Sequence, residues 1–259
     1  MNKIFALAGV VIKELYRRKD FYVLFFLTAV LTLGAGAVNF FHDDKIIRIV
    51  KDACLLLIWV SALVIAITTA ARQIPAEREA RTIFPLLAKP VSRAQVILGK
   101  FLGCWLASGV ALVVFYFFFA VVTGSHEHIW PLAVYLQAAW MQWFMLAIVT
   151  AMVLLGSIYF AAPSSTTTIS FVVVVGILAL GTHLNTIALS QPQPIQSILS
   201  AIYFAMPHLE LYDLRDFVVY NQPSVPRLAI AEATAYAVVW TGIFLLLAWL
   251  GFRRKGLTT

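Results

Sequence analysis

The chain has 259 residues, 62% of them hydrophobic and 12% charged, with a formal net charge of +7. A mean hydropathy of +0.90 excludes an ordinary water-soluble domain and points to an all-α integral membrane protein. The basic balance fits membrane topology and anionic headgroups, and no basic stripe with interleaved aromatics marks a nucleic-acid partner.

The first apolar stretch, Ile4 to Ile12, is too short to cross a bilayer and has no small-residue cleavage site. Ile4, Leu7, Ala8, Val11, Ile12 and Leu15 recur at helical spacing, and Lys13, Arg17, Arg18 and Lys19 are interspersed or follow. That pattern predicts an amino-terminal interfacial helix in contact with membrane lipid.

Crossing a hydrocarbon layer takes roughly 20 apolar residues at about 1.5 Å each. Runs of this kind lie at 21–41, 53–71 and 101–123, and a last one at 230–252. From His128 to Leu209 there is no Asp, Glu, Lys or Arg, a stretch too long for one crossing. The breakers Ala162-Pro163-Ser164-Ser165-Thr166 and Gln191-Pro192-Gln193-Pro194 divide it into spans at 132–157 and 167–189. The expected architecture is one transmembrane domain over residues 1–259 with six transmembrane helices.

Orientation follows from the distribution of Lys and Arg. With the amino terminus inside, fourteen of the nineteen fall on the inner face and five on the outer. Both termini and the 72–100 loop are therefore expected in the cytoplasm, and loop 190–227 outside.

The 72–100 loop is the most informative segment. It carries six Lys and Arg residues between two apolar runs. Pro75 suits a first helical turn and Pro85 interrupts a helix, while Ser92 followed by Gln95 is a capping box entering the third span. Ile74, Ile83, Phe84, Leu86 and Leu87 offer apolar surface, and Glu77, Arg78, Glu79 and Arg81 offer charges that fix register against a partner.

In the outer loop, Ile195, Ile198, Leu199, Ile202, Tyr203 and Met206 predict an amphipathic helix, with Pro194 in its first turn and Pro207 ending it. Glu210, Asp213, Arg215 and Asp216 follow as the dense charge cluster of that face. They fit either a solvated cap or an outer gate.

Chemistry within the spans is sparse. No catalytic constellation occurs, and the one acidic residue, Glu232, lies near a span end. His126 and His128 in the turn after the third span, with Met141, Met145 and Met152 on one face of the fourth, are weak candidates for a soft metal. A polar loop tip and a packing stripe account for them equally. Cys54 and Cys104 read as buried thiols. Gly99-x-x-x-Gly103 permits close helix packing, between subunits or within one. No phosphate-binding loop is present: Gly99-Lys100 is followed by Phe101. An ATP-driven machine needs a separate ATPase.

Glu77-Arg78-Glu79, Thr82, Leu86-Leu87, Pro90-Val91-Ser92-Arg93 and Gly99-Lys100 together resemble the loop of ABC-2 type permease subunits of ABC transporters, most closely the multi-copper enzyme maturation branch. Arg81 stands where many of these relatives have Gly. The resemblance implies that loop 72–100 holds a coupling helix seated in a cleft of the ATP-binding subunit. It also implies that ATP and Mg are bound by that subunit, that no cofactor is held by this chain, and that two permeases pair, as a homodimer or a heterodimer. The residues expected to carry coupling are Glu77, Arg78, Glu79, Arg81, Thr82, Phe84, Leu87, Pro90, Arg93 and Lys100. The expected function is export of an apolar or amphipathic substrate across a bacterial-type cytoplasmic (inner) membrane, with no catalytic residue in the chain. A membrane anchor or regulatory subunit, or an integral membrane enzyme, is the alternative.

Overall fold

The computed structural model describes residues 2–16, 22, 26, 29–30, 33, 44–79, 92–127, 131–160, 162–190 and 192–254. Every regular element among them is helical. In chain order they are α1 (Asn2–Tyr16), α2 (Asp44–Arg72), α3 (Pro75–Glu79), α4 (Arg93–Glu127), α5 (Leu132–Tyr159), α6 (Pro163–Ser190) and α7 (Ile195–Ala205). A 3-10 turn (Leu209–Tyr212), α8 (Arg215–Val219) and α9 (Arg227–Arg254) complete the order. Among the described residues, five helices are long and apolar enough to cross a membrane. The span expected at 21–41 falls almost wholly outside them.

These helices run past the apolar windows that announce them. The 53–71 run sits in a helix that starts at Asp44, and the 101–123 run in one that starts at Arg93. Apolar length reports the hydrocarbon layer, whereas backbone hydrogen bonding continues into the polar boundary. A 28-residue helix such as α5 is about 42 Å long, against roughly 30 Å of hydrocarbon.

Helix α5 is the axis of the bundle: 78% of its most apolar window is buried, against 28% for α6 and for α9. It packs on α9, α2, α4 and α6. Its methionines are part of that packing, since Met141 and Met145 belong to the main core and Met152 packs against it. Trp105 of α4 and Trp143 of α5 stack with centroids 4.6 Å apart. Each indole N–H donates to the other's carbonyl, at 2.9 Å from Trp105 and 3.3 Å from Trp143. Indoles in a dry environment need such partners.

The glycine pair on α4 has a definite use within the subunit. A Cβ on Gly99 would fall 2.8 Å from Cβ of Leu7, and one on Gly103 2.7 Å from Cβ of Val11. The two glycines therefore form the groove in which α1 lies, which selects the intrachain reading of Gly99-x-x-x-Gly103.

Helices α2, α5 and α9 end, and α4 and α6 begin, at the same end of the bundle. That end holds Lys100; the opposite end holds Tyr212.

Candidate functional site

At the Lys100 end, α2 stops at Arg72, the chain turns through Gln73 and Ile74, and α3 starts at Pro75. A proline at a first helical position sacrifices no internal hydrogen bond. On the far side of the loop, the Ser92 N–H donates to Gln95 Oε1 at 3.0 Å and the Gln95 N–H donates to Ser92 Oγ at 3.2 Å. This reciprocal box fixes where α4 begins.

Lys100, 4% exposed, sits two turns into α4. Its ammonium donates to Glu77 Oε1 at 2.6 Å, to the Gln73 carbonyl at 2.8 Å and to Gln73 Oε1 at 3.3 Å. Three acceptors match the three donors of an ammonium and make its burial tolerable. Gln73 in turn donates to the Thr69 carbonyl at 3.3 Å, so the cluster joins α4 to the end of α2 and to α3.

Two arginines make comparable ties. Arg78 Nη1 on α3 donates to the Ile158 carbonyl in the last turn of α5 at 3.1 Å. Arg93 Nη1 donates to the carbonyls of Phe252 and Arg253, at 2.7 and 3.1 Å, in the last turn of α9, and its guanidinium lies 5.6 Å from the Phe252 ring centroid. The final carbonyls of a helix have no partners within it and carry the negative end of the helix dipole. Three cations flanking one loop thus hold the carboxyl ends of three different helices.

Of the expected coupling residues, Glu77, Arg78, Arg93 and Lys100 come together in these ties, while Glu79 is exposed. Arg81, Thr82, Phe84, Leu87 and Pro90 lie outside the described residues. Gln73, which sequence reasoning passed over, is part of the Lys100 cluster; its one local signal is a polar side chain just past an apolar run.

At the Tyr212 end, Leu209, Tyr212, Leu214, Val218 and Val219 are buried and close the bundle over α2, α5 and α6. Tyr212 Oη donates to the Ala233 carbonyl of α9 at 2.8 Å, and burial pushes its phenol well above the usual tyrosine range. Arg215 grips Asp213 through both carboxylate oxygens, with Nη2 to Oδ2 at 2.7 Å. Its guanidinium lies 5.7 Å from the Trp59 ring centroid, and the bond to Asp213 raises its already high pKa. Glu210 pairs with His208, Nδ1 to Oε1 at 3.2 Å, and Asp216 is exposed. The cluster is therefore divided between a bundle-facing pair of contacts and one solvated carboxylate.

A family model described as ABC-2 family transporter protein matches residues 12–257. The chain belongs to the ABC-2 transporter family. It is a multi-pass transmembrane subunit of an ABC transporter, a class that works with an ATP-binding subunit and in a dimeric arrangement. Comparison with curated proteins gives no match.

The ABC-2 match spans both ends of the bundle, the Lys100 cluster included. Among the described residues no three His, Cys, Asp or Glu side chains converge as metal ligands. His126 lies in the last turn of α4, and His128 is outside the described residues.

Proposed function

We propose that this chain is the permease of an ABC exporter, driven by a separate ATP-binding subunit that docks on the cytoplasmic 72–100 segment. The observation that carries the reading is the set of ties from Arg78, Arg93 and Lys100 to the carboxyl ends of α5, α9 and α2. A partner that displaces α3 pulls directly on Ile158 through Arg78 and on Lys100 through Glu77, while Arg93 links the start of α4 to the end of α9. A movement of the loop becomes a movement of four helices without passing through soft contacts. Exposed Glu79 is available to a partner, while the buried ends of the ties transmit.

The cargo in this reading is apolar or amphipathic. Unpaired charge inside the bilayer is costly, and the faces left open on α6 and α9 are apolar, including Val172, Val175, Val238 and Leu246. Such faces admit a molecule from the lipid phase and offer a free ion nothing. ATP and Mg belong to the partner, and both termini lie in the cytoplasm.

The test is co-purification of the tagged chain with the ATP-binding subunit encoded beside it. The wild type is compared with a Glu77→Ala, Glu79→Ala, Arg81→Ala variant that still inserts into the membrane. Loss of the partner from the variant supports docking on this loop. Undiminished recovery moves the docking surface elsewhere, and recovery of no partner by the wild type removes the energy source.

A further inference from the structure

Segment 208–212 ties three helices at the Tyr212 end through a single histidine. The His208 ring lies between Tyr203 of α7, with centroids 4.2 Å apart, and Tyr236 of α9, at 6.1 Å. Its backbone N–H donates to Tyr236 Oη at 3.1 Å. On its other side, His208 Nδ1 meets Glu210 Oε1, and the Glu210 carboxylate lies flat against Gly181 of α6. A Cβ on Gly181 would fall 2.8 Å from Glu210 Cδ, so only glycine lets the carboxylate occupy that place.

We propose that the His208–Glu210 pair is the latch of a gate at this end of the bundle, closed in the present structure and released when α6 moves relative to α9. This rests on the transport reading above, because a gate has meaning only on a path. Leu209, 0% exposed, and Tyr212, 1% exposed, are the plug that the latch holds in place.

The closed state carries a built-in cost. Glu210 Oε2 is buried and has no hydrogen-bond partner among the described residues. A carboxylate oxygen shut away from water without a donor is unfavourable, and opening the cap hydrates it. The aromatic stack and the His208–Glu210 contact hold the latch shut, while the orphaned oxygen lowers the work of opening it. A latch fully satisfied in the closed state would resist opening; one satisfied in neither state would not close.

The geometry also supplies a mild way to spring the latch. The atoms in the path of a Gly181 Cβ are the far end of a flexible side chain, so Gly181→Ala displaces the Glu210 carboxylate without forcing backbone apart. His208→Phe breaks the pair by a second route while keeping a ring between the two tyrosines.

The experiment uses Leu209→Cys in the full chain in cell membranes and measures its reaction with a membrane-impermeant maleimide added from outside. Tyr220→Cys, an exposed position, is the accessible reference. Labelling of a buried site requires local opening, so Cys at 209 is expected to react about tenfold slower than Cys at 220. Adding Gly181→Ala or His208→Phe is expected to bring its rate close to the reference. Unchanged slow labelling in both variants overturns the latch, as does labelling at the reference rate before either change. The assay needs neither ATP nor cargo, so its failure leaves the docking result untouched, and failure of docking leaves the labelling result interpretable.

Discussion

Lys100 and Glu77 lie 23 positions apart in the chain and meet at 2.6 Å, with the lysine buried and the glutamate partly open to solvent. The contact closes the 72–100 loop at its base, so that α3 and the start of α4 move as one piece. Breaking an ion pair in this position costs more than breaking a surface pair, because the buried groups that remain lose the partner that offsets their desolvation.

Removing the ammonium takes away the donor that Glu77 Oε1, the Gln73 carbonyl and Gln73 Oε1 share. Lys100→Met is expected to destabilise the folded chain by about 2–3 kcal/mol, less than a wholly buried pair because Glu77 retains access to water. Glu77→Gln keeps an acceptor for the lysine and is expected to lose about 1 kcal/mol. Thermal unfolding in detergent should order the three proteins accordingly; equal melting temperatures would remove the tie from the account.

The α1 groove makes a sharper contrast. Gly99→Ala and Gly103→Ala place a methyl group against Leu7 and Val11 and are expected to cost about 1–3 kcal/mol through overpacking. Gly9→Ala, with nothing within 4 Å of the new Cβ, is expected to be neutral or to stabilise by up to about 1 kcal/mol. Limited proteolysis of the amino-terminal helix should follow the same order. Identical behaviour of all three variants would mean that α1 does not lie in this groove.

Arg93 makes two bonds to the end of α9. Arg93→Ala is expected to cost about 1–2 kcal/mol, from the carbonyls left bare and the lost stacking on Phe252, with Arg93→Lys recovering roughly half. Protease cleavage after Arg253 or Arg254 reports the fraying of α9, and a lysine variant as frayed as the alanine variant would show that charge alone does not cap this end.

Tyr212 gives a pH signature at the opposite end. Its phenol is harder to ionise in the folded chain than in the unfolded one, so its contribution is fully present below the ordinary tyrosine pKa of about 10 and is lost as pH rises above it. The Tyr212→Phe variant, lacking the bond to Ala233, is expected to be less stable by about 1 kcal/mol at neutral pH and to lose less on alkaline titration. Thermal unfolding between neutral pH and pH of about 11 compares the two, and parallel curves would show that this phenol is not the responsible group.

Some of this was legible in the chain. The apolar runs within α2, α4, α5, α6 and α9 announce themselves because a helix crossing lipid has no alternative to apolar side chains. The Ser92–Gln95 box is visible because both partners are three residues apart. The ties were not, because Arg78 meets a carbonyl 80 positions away and Arg93 one 159 positions away. A backbone carbonyl has no residue type to betray it, and only packing brings Ile158 and Phe252 to the loop. The charge pattern offered Arg78 to a partner's surface, and the family resemblance assigned Arg93 and Lys100 to coupling; in the structure each turns inward to a helix end. The Gly181–Glu210 contact was hidden for the same reason: glycine on an apolar helix carries no mark of the side chain it makes room for.

The most direct test of the central claim is a distance measurement across the ties. Spin labels at Tyr159→Cys on α5 and Arg254→Cys on α9 report the separation of two helix ends, in the assembled complex with its ATP-binding subunit, with and without ATP. The account predicts that ATP changes this distance in the otherwise unmodified chain. It also predicts that the change disappears in an Arg78→Ala, Arg93→Ala variant that still retains its partner. An ATP-dependent change of full size in that variant would contradict the claim that these cations carry the motion.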